Sequence, residues 1–400
     1  MSFIKDYTEY VSEFSDAPEI FHQRMALMMI SSIVNRKVGL RQGYGHLYPN
    51  LWMILLAPSG FYHKSYSIST AINILKKVNP DLVLPDDFSR EGLIEELASN
   101  SKRLLVAYEF QSLMGALSRD YMGGAKALLT ELFDNPAEYT RKLKNKPITK
   151  KRLDPDYVED PANAQKMVIK EPFLNLIAAT TLEWFGDSLK ESDLMGGFLA
   201  RFFIVRSYPK DKSFAWLPPD SSAKREALID TLNEINQLEG EMKLEPAAAK
   251  QYEVWYLKFE KARRDDTSIV SPFYPRLTET AKKFAMLHAI DRSRALTITA
   301  EDIEFGTDMD DLCAREINQM RLHEITNGWY EKERKRVEQF LISSKNRVTR
   351  AELCRATRIK AKTLDDVIRD LIDSEMITVE IETKERKHTN PIEVRFYQWN

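Results

Sequence analysis

The 400-residue chain predicts an α/β protein, with an open sheet of short parallel strands, a charged helical stretch after it and a small C-terminal domain. Three observations predict this. Apolar runs at 51–56 ("LWMILL"), 103–110 ("RLLVAYEF"), 173–181 ("FLNLIAATT") and 201–207 ("RFFIVRS") have strand length and alternate with segments at helical spacing. Beyond Pro218 and Pro219 these runs give way to charged helical segments, "AKREALIDTLNEINQLEG" and "TETAKKFAMLHAIDRSRA". From about Glu331 the character changes again: "RVEQFLISS" is helical, "TRAELCRAT" begins on an N-cap threonine, and "AKTLDDVIRDLIDSE" is a third helix. "MITVEIETKERKHTNPIEVRFYQ" then alternates apolar and polar residues around a charged turn, as a hairpin does. Three helices followed by a hairpin describe a winged helix-turn-helix.

Taken in order, the segment 10–38 contains "PEIFHQRMALMMISSIVNRKV", whose broad apolar face and several methionines read as a buried helix. The run 51–56 then meets Pro58 and Gly60, a buried strand ending in a turn, and 65–77 returns to helical spacing. The boundaries that follow are an N-terminal helical segment 1–48, a core 49–215, a helical region 216–330 and the tail domain 331–400. A chain of this length is too long for one ordinary core. No run approaches the roughly 18 apolar residues of a membrane span, so no membrane partner is expected. The start "MSFIKDYTEY" lacks a signal-peptide pattern, and only Cys313 and Cys354 are present, which suggests a reducing cytoplasm. The six histidines are dispersed, which argues against structural zinc. A net charge of −2 leaves nucleic acid open, since binding a polyanion needs a local basic surface rather than a basic total.

The strand–turn–helix at "LWMILLAPSGFYHKSYS" has the order of a phosphate-binding loop. In such a loop backbone N–H groups converge on phosphate, a lysine reaches the terminal phosphates and a hydroxyl ligates magnesium. Ala57, Pro58, Ser59, Gly60, Phe61, Tyr62, His63, Lys64 and Ser65 would cradle ATP, with Lys64 on the β/γ-phosphates and Ser65 on Mg²⁺. His63 occupies the place of the usual second glycine, and the turn from Gly60 to Lys64 is one residue longer than the common form. The plain alternative is a strand–turn–helix with a surface lysine.

"YPNLWMILLAPSGFYHKS", preceded by "SDAPEIFHQRMALMMISSIVNRKVGL", resembles a broad family of phage, plasmid and mobile-element P-loop ATPases. These are replicative-helicase-like proteins, often fused to or encoded beside a primase. The resemblance covers about 4–208 and extends more weakly to about 300. It implies a RecA-like P-loop NTPase core. "LLVAYEF" looks like the family's acidic strand motif, so Glu109 would orient the attacking water and help hold Mg²⁺, although Tyr108 stands where the family has Asp. Thr180 and Thr181 end the third strand, where the family has a polar sensor of the γ-phosphate. Arg201 in "GGFLARFFIV" resembles the family's Gly-x-x-x-Arg-Phe segment and would act as an arginine finger across a subunit boundary, with Arg206 as the second choice. A structural arginine explains Arg201 equally well.

"TRKLKNKPITKKRL" supplies Arg141, Lys142, Lys144, Lys146, Lys150, Lys151 and Arg152, with Pro147 marking a loop or hairpin. Such a single-signed stretch suits the phosphates of single-stranded or forked DNA. The tail offers Arg355, Arg358, Lys360, Lys362 and Arg369, with Lys384, Arg386 and Lys387 in the expected wing, opposed by Asp365, Asp366, Asp370 and Asp373.

Together these features suggest a nucleic-acid-stimulated, helicase-type ATPase, working as a homo-oligomeric, hexameric ring in replication of a phage or mobile element, with a primase as a separate partner. The alternative is a non-hydrolysing DNA-binding initiator or helicase-loading adaptor, favoured by His63 and Tyr108. A small-molecule kinase is a third reading, less suited to the basic loop and the winged tail.

Overall fold

The computed structural model describes residues 2–85, 88–119, 122, 124–142, 166–182, 184, 197–207, 210, 212–266, 268, 270–320, 326–344, 347–386 and 389–399. The chain is mixed α/β and divides into two compact units, one reaching to Asn318 and one from Gln319 onward.

The first unit opens with helices α1 (Phe3–Ser12), capped by the Ser2 hydroxyl, and α2 (Glu19–Val34). The single helix expected over 10–38 is thus two, because the backbone leaves helical geometry before Pro18, a residue that suits a helix start but not its interior. α2 is buried on nearly all sides, as its apolar circumference requires. A hairpin of β1 (Val38–Gln42) and β2 (Gly45–Leu47) follows. The central elements are β3 (Trp52–Leu56), α3 (Lys64–Val78), α4 (Arg90–Ser99), β4 (Lys102–Ala107), α5 (Phe110–Leu117) and α6 (Ala125–Phe133). They continue with the antiparallel pair β5 (Glu138–Lys142) and β6 (Lys166–Lys170), then β7 (Phe173–Thr180) and β8 (Phe202–Arg206).

β4, β7, β3 and β8 form one sheet in that order, every pairing parallel. All of β3 and β7 is buried, which explains their uninterrupted apolar runs: a parallel sheet is covered on both faces. The exception is Asn175, fully buried in mid-strand. Its Oδ1 accepts from the Leu51 N–H at 2.7 Å, and its Nδ2 donates to Ser31 and Ser32, each at 2.9 Å. The side chain therefore ties α2 to the start of β3. Asn50 has a similar task one residue earlier, donating to the Phe133 carbonyl and accepting from Asn135 and Lys283.

The rest of this unit comprises α7 (Ser222–Asn236), β9 (Gly240–Leu244), α8 (Pro246–Arg263), α9 (Phe273–Ser293), β10 (Thr297–Ile298) and α10 (Ala300–Met320), whose end reaches the division. A second sheet runs β10-β9-β1-β2, with Val38 paired to Gly240. The stretches 1–48 and 216–318 therefore share a sheet within one unit. Among the described residues no helix is long and apolar enough to cross a membrane.

The second unit contains α11 (Thr326–Ser343), β11 (Val348–Thr349), α12 (Arg350–Thr357), α13 (Ala361–Asp373), β12 (Ile377–Arg386) and β13 (Thr389–Trp399). Its antiparallel sheet has the order β11-β13-β12, and Val337, Leu341, Leu353, Leu364, Val367 and Leu371 belong to its own core. Thr349 and Glu352 form a reciprocal capping box at the start of α12, as the N-cap reading expects.

Candidate functional site

Parallel strands point their carboxyl ends the same way, so the loops leaving that edge share a surface. The register fixes which residues stand level: Leu56 pairs with Thr180 on one side and with Arg206 on the other, and Ala107 pairs with Ala178. The edge thus collects the loop 57–63, Thr180, Arg206 and the Tyr108–Glu109 exit of β4. Glu109 emerges two strands from the loop, roughly 10 Å away at ordinary strand spacing. That span suits a terminal phosphate on one side and an attacking water on the other.

In the loop, Gly60 has φ of 89° and His63 has φ of 49° and ψ of 35°. The second position is left-handed backbone, the conformation for which glycine is normally chosen, and a side chain there costs about 1–2 kcal/mol. His63 N–H closes the turn onto the Gly60 carbonyl at 3.5 Å. Lys64 then begins α3, whose N-terminus carries the positive end of the helix dipole. Its Nζ donates to the carbonyl oxygens of Ala57 at 2.8 Å and Pro58 at 2.9 Å, folding back on the loop's own start. Ser65 is exposed on the next residue, and Phe61 is 79% exposed.

Thr180 Oγ1 is buried and has no hydrogen-bond partner, while Thr181 accepts from the Trp184 N–H at 3.3 Å. Glu109 is exposed as the N-cap residue of α5 and accepts from the Ser112 hydroxyl at 3.1 Å. Arg206 stands 3.6 Å from Glu316. Arg201 lies at the opposite, amino end of β8: it is buried, donates to Asp134 at 2.7 Å and to the Gly197 carbonyl at 2.8 Å, and stacks over Phe133. The chain itself thus occupies the Arg201 guanidinium.

Sequence reasoning overlooked two residues here. Asp16, between α1 and α2, has a side chain only 4% exposed and lies beside the loop, with His63 Nε2 3.7 Å from its Oδ1. Lys210 bridges Asp16 Oδ2 at 2.6 Å and the Phe61 carbonyl at 2.8 Å. Although burial alone would raise it, hydrogen bonds from Lys210 and the Phe214 N–H, with the His63 charge, hold the Asp16 carboxyl below its ordinary value. No spacing pattern in the sequence joins these residues to the loop.

Arg141 pairs with Glu91 near the start of α4 at 2.8 Å. Because α4 leads into β4, its start lies at the carboxyl edge of the sheet, so Arg141 reaches that edge. The side chain of Lys142, and Lys144, Lys146, Lys150, Lys151 and Arg152, lie outside the described residues, as do Lys387 and the side chains of Lys362, Lys384 and Arg386. In the second unit Arg355, Arg358 and Lys360 are exposed, with Arg358 in left-handed backbone. Asp365 is matched by Arg350 and Asp366 by Arg369, which offsets part of the acidity of α13.

A cavity of about 650 Å³ lies instead at the amino edge, lined by Arg36, Tyr48, Asp134, Asn135, Arg276 and Lys283 among others. Burial pushes Lys283 down to about 7, while its Nζ donates to the Asn50 backbone and side-chain oxygens. The residues expected to act on phosphate lie at the carboxyl edge, away from this cavity. Among the described residues no group of three His, Cys, Asp or Glu side chains could hold a metal ion. The oxygens of Ser65 and Glu109 suit a hard cation such as Mg²⁺, which commonly keeps water and substrate phosphate as its remaining ligands.

No known family model matches the chain, and no curated protein matches it either.

Proposed function

We propose that this protein is a nucleic-acid-stimulated ATPase of the replicative-helicase type, with a RecA-like core and a C-terminal winged helix. The observation that carries the reading is the carboxyl edge of the main sheet: a glycine-containing loop enters a helix at Lys64, flanked by Thr180 and, two strands away, by Glu109. Mg²⁺ would supply charge neutralisation on the phosphates, held by Ser65 and Glu109. Lys64 exchanges its two carbonyl acceptors for the β/γ-phosphates. Thr180 directs its buried hydroxyl at the terminal phosphate or the water, and Glu109 orients that water for in-line attack. Arg206 is the cation level with the loop, and it supports charge stabilisation from within the same chain. For Arg201 to act on a neighbouring subunit it would first have to leave Asp134 and Gly197. The basic stretch beyond Lys142 grips single-stranded DNA, and copies of the chain assemble as a hexameric ring, with priming left to a partner. The test is ATP hydrolysis with and without single-stranded DNA in wild type, Lys64→Ala and Glu109→Gln. DNA stimulation lost in both variants supports the reading, and equal activity in all three removes it.

A second reading, a non-hydrolysing initiator or helicase-loading adaptor in the cytoplasm, is favoured by Lys64 resting on Ala57 and Pro58 and by Tyr108 in the acidic motif. It predicts DNA binding without nucleotide binding in calorimetry.

A further inference from the structure

We propose that Asp16 is a positioning residue of the phosphate loop, holding the Phe61–His63 backbone in place through Lys210 and His63 in compensation for the missing glycine. This rests on the nucleotide-binding reading of that loop. A residue with a Cβ stays in left-handed backbone only when its surroundings over-determine it. At His63 the backbone bonds to Gly60 and Ser67, and the side chain faces one buried carboxylate. Asp16 Oδ1 lies 3.7 Å from His63 Nε2, within ion-pair range. Asp16 Oδ2 accepts from Lys210 Nζ at 2.6 Å and from the Phe214 N–H at 3.0 Å. The same Lys210 ammonium donates to the Phe61 carbonyl at 2.8 Å. The residues on either side of Tyr62 therefore both answer to Asp16.

The anchor itself is buried and hydrogen-bonded. Phe14 and Ala17, on either side of Asp16, are buried, and the Ala17 N–H donates to Ser15 Oγ at 3.2 Å. Lys212 Nζ donates to the Ser12 carbonyl at 2.8 Å, joining the segment after β8 to the end of α1. A buried carboxylate that accepts from the Lys210 ammonium and the Phe214 N–H stays ionised and directional. Fixing the loop beforehand spares the nucleotide the ordering cost of the Phe61–His63 backbone, which is how a pre-formed site gains affinity. The N-terminal segment is thereby part of the nucleotide site rather than a neighbour of it.

The test is a double-mutant cycle. MgATP binding is measured by calorimetry for wild type, Asp16→Asn, His63→Gly and the double variant, with Lys64→Ala reporting on the loop itself. Backbone amide exchange across 57–65 is followed without nucleotide in the same proteins, and Lys210→Gln repeats the test from the other side of the bridge. Asp16→Asn is expected to weaken MgATP about tenfold and to speed loop exchange, but to cost about threefold or less once His63→Gly has relieved the left-handed position. Equal losses in both backgrounds, or loop exchange unchanged by Asp16→Asn and Lys210→Gln, would overturn the proposal. If wild type binds no MgATP the ATPase reading falls, and the exchange comparison alone decides the role of Asp16.

Discussion

A nucleotide bound as proposed would have to compete with two backbone acceptors for the Lys64 ammonium, since Nζ already rests on Ala57 and Pro58. At Gly60 the constraint is purely conformational: φ is 89° and an added Cβ would meet nothing within 4 Å. Gly60→Ala should therefore cost about 1 kcal/mol of stability, read as a lower urea midpoint, while MgATP binding weakens because the turn shifts. His22 lies fully buried in α2, and burial, with the charge of Lys212, pushes it down to about 4. The unfolded chain takes up a proton near its ordinary value of 6.5, which the folded chain refuses until about pH 4. Stability should thus fall by about 3 kcal/mol as pH drops through that window, with the His22 contribution constant at higher pH. His22→Leu should flatten that part of the pH dependence in denaturant titrations, and an unchanged slope would contradict the assignment.

Helix α10 packs tightly against α9 at Gly306, where an added Cβ would lie 2.1 Å from the Ala281 carbonyl oxygen. Gly306→Ala must push two helices apart and should destabilise the first unit by about 1–3 kcal/mol, measured by thermal unfolding. Removing Asn175 should be comparably costly, because Asn175→Ala strands the Leu51 N–H inside the sheet. Elements of this kind differ in how legible they are. β3 and β7 are plain in the sequence because burial on both faces makes nearly every residue apolar, and the end of β7 is read to within one residue. The capped α12 and the long hairpin are legible for local reasons, a threonine three residues before a glutamate and a clean two-residue alternation. β9 is not: "GEMKL" shows only Met242 as buried, and its pairing with β1 joins segments far apart in the chain. The strand–turn–helix around Gly60 is readable in the sequence, but its contacts with Asp16 and Lys210 are not, because tertiary packing alone brings them together.

The two units have separate cores, and the second closes its own around α11, α12 and α13 with a three-stranded sheet. A fragment spanning 319–400 should accordingly fold alone with a cooperative thermal transition, whereas a non-cooperative melt would mean that its core is incomplete. In the first unit the N-terminal segment and the middle helices share a sheet, so truncation at residue 48 or residue 216 should cost the fold rather than trim it. The loop 57–63, Thr180 and Glu109 meet at one edge of this unit, which is the arrangement the proposed nucleotide turnover would require. The most direct measurement is steady-state ATP hydrolysis with and without single-stranded DNA, comparing wild type with Lys64→Ala and Glu109→Gln. The account predicts DNA-stimulated turnover in wild type and a fall of about 100-fold or more in both variants; equal rates in all three proteins would contradict it.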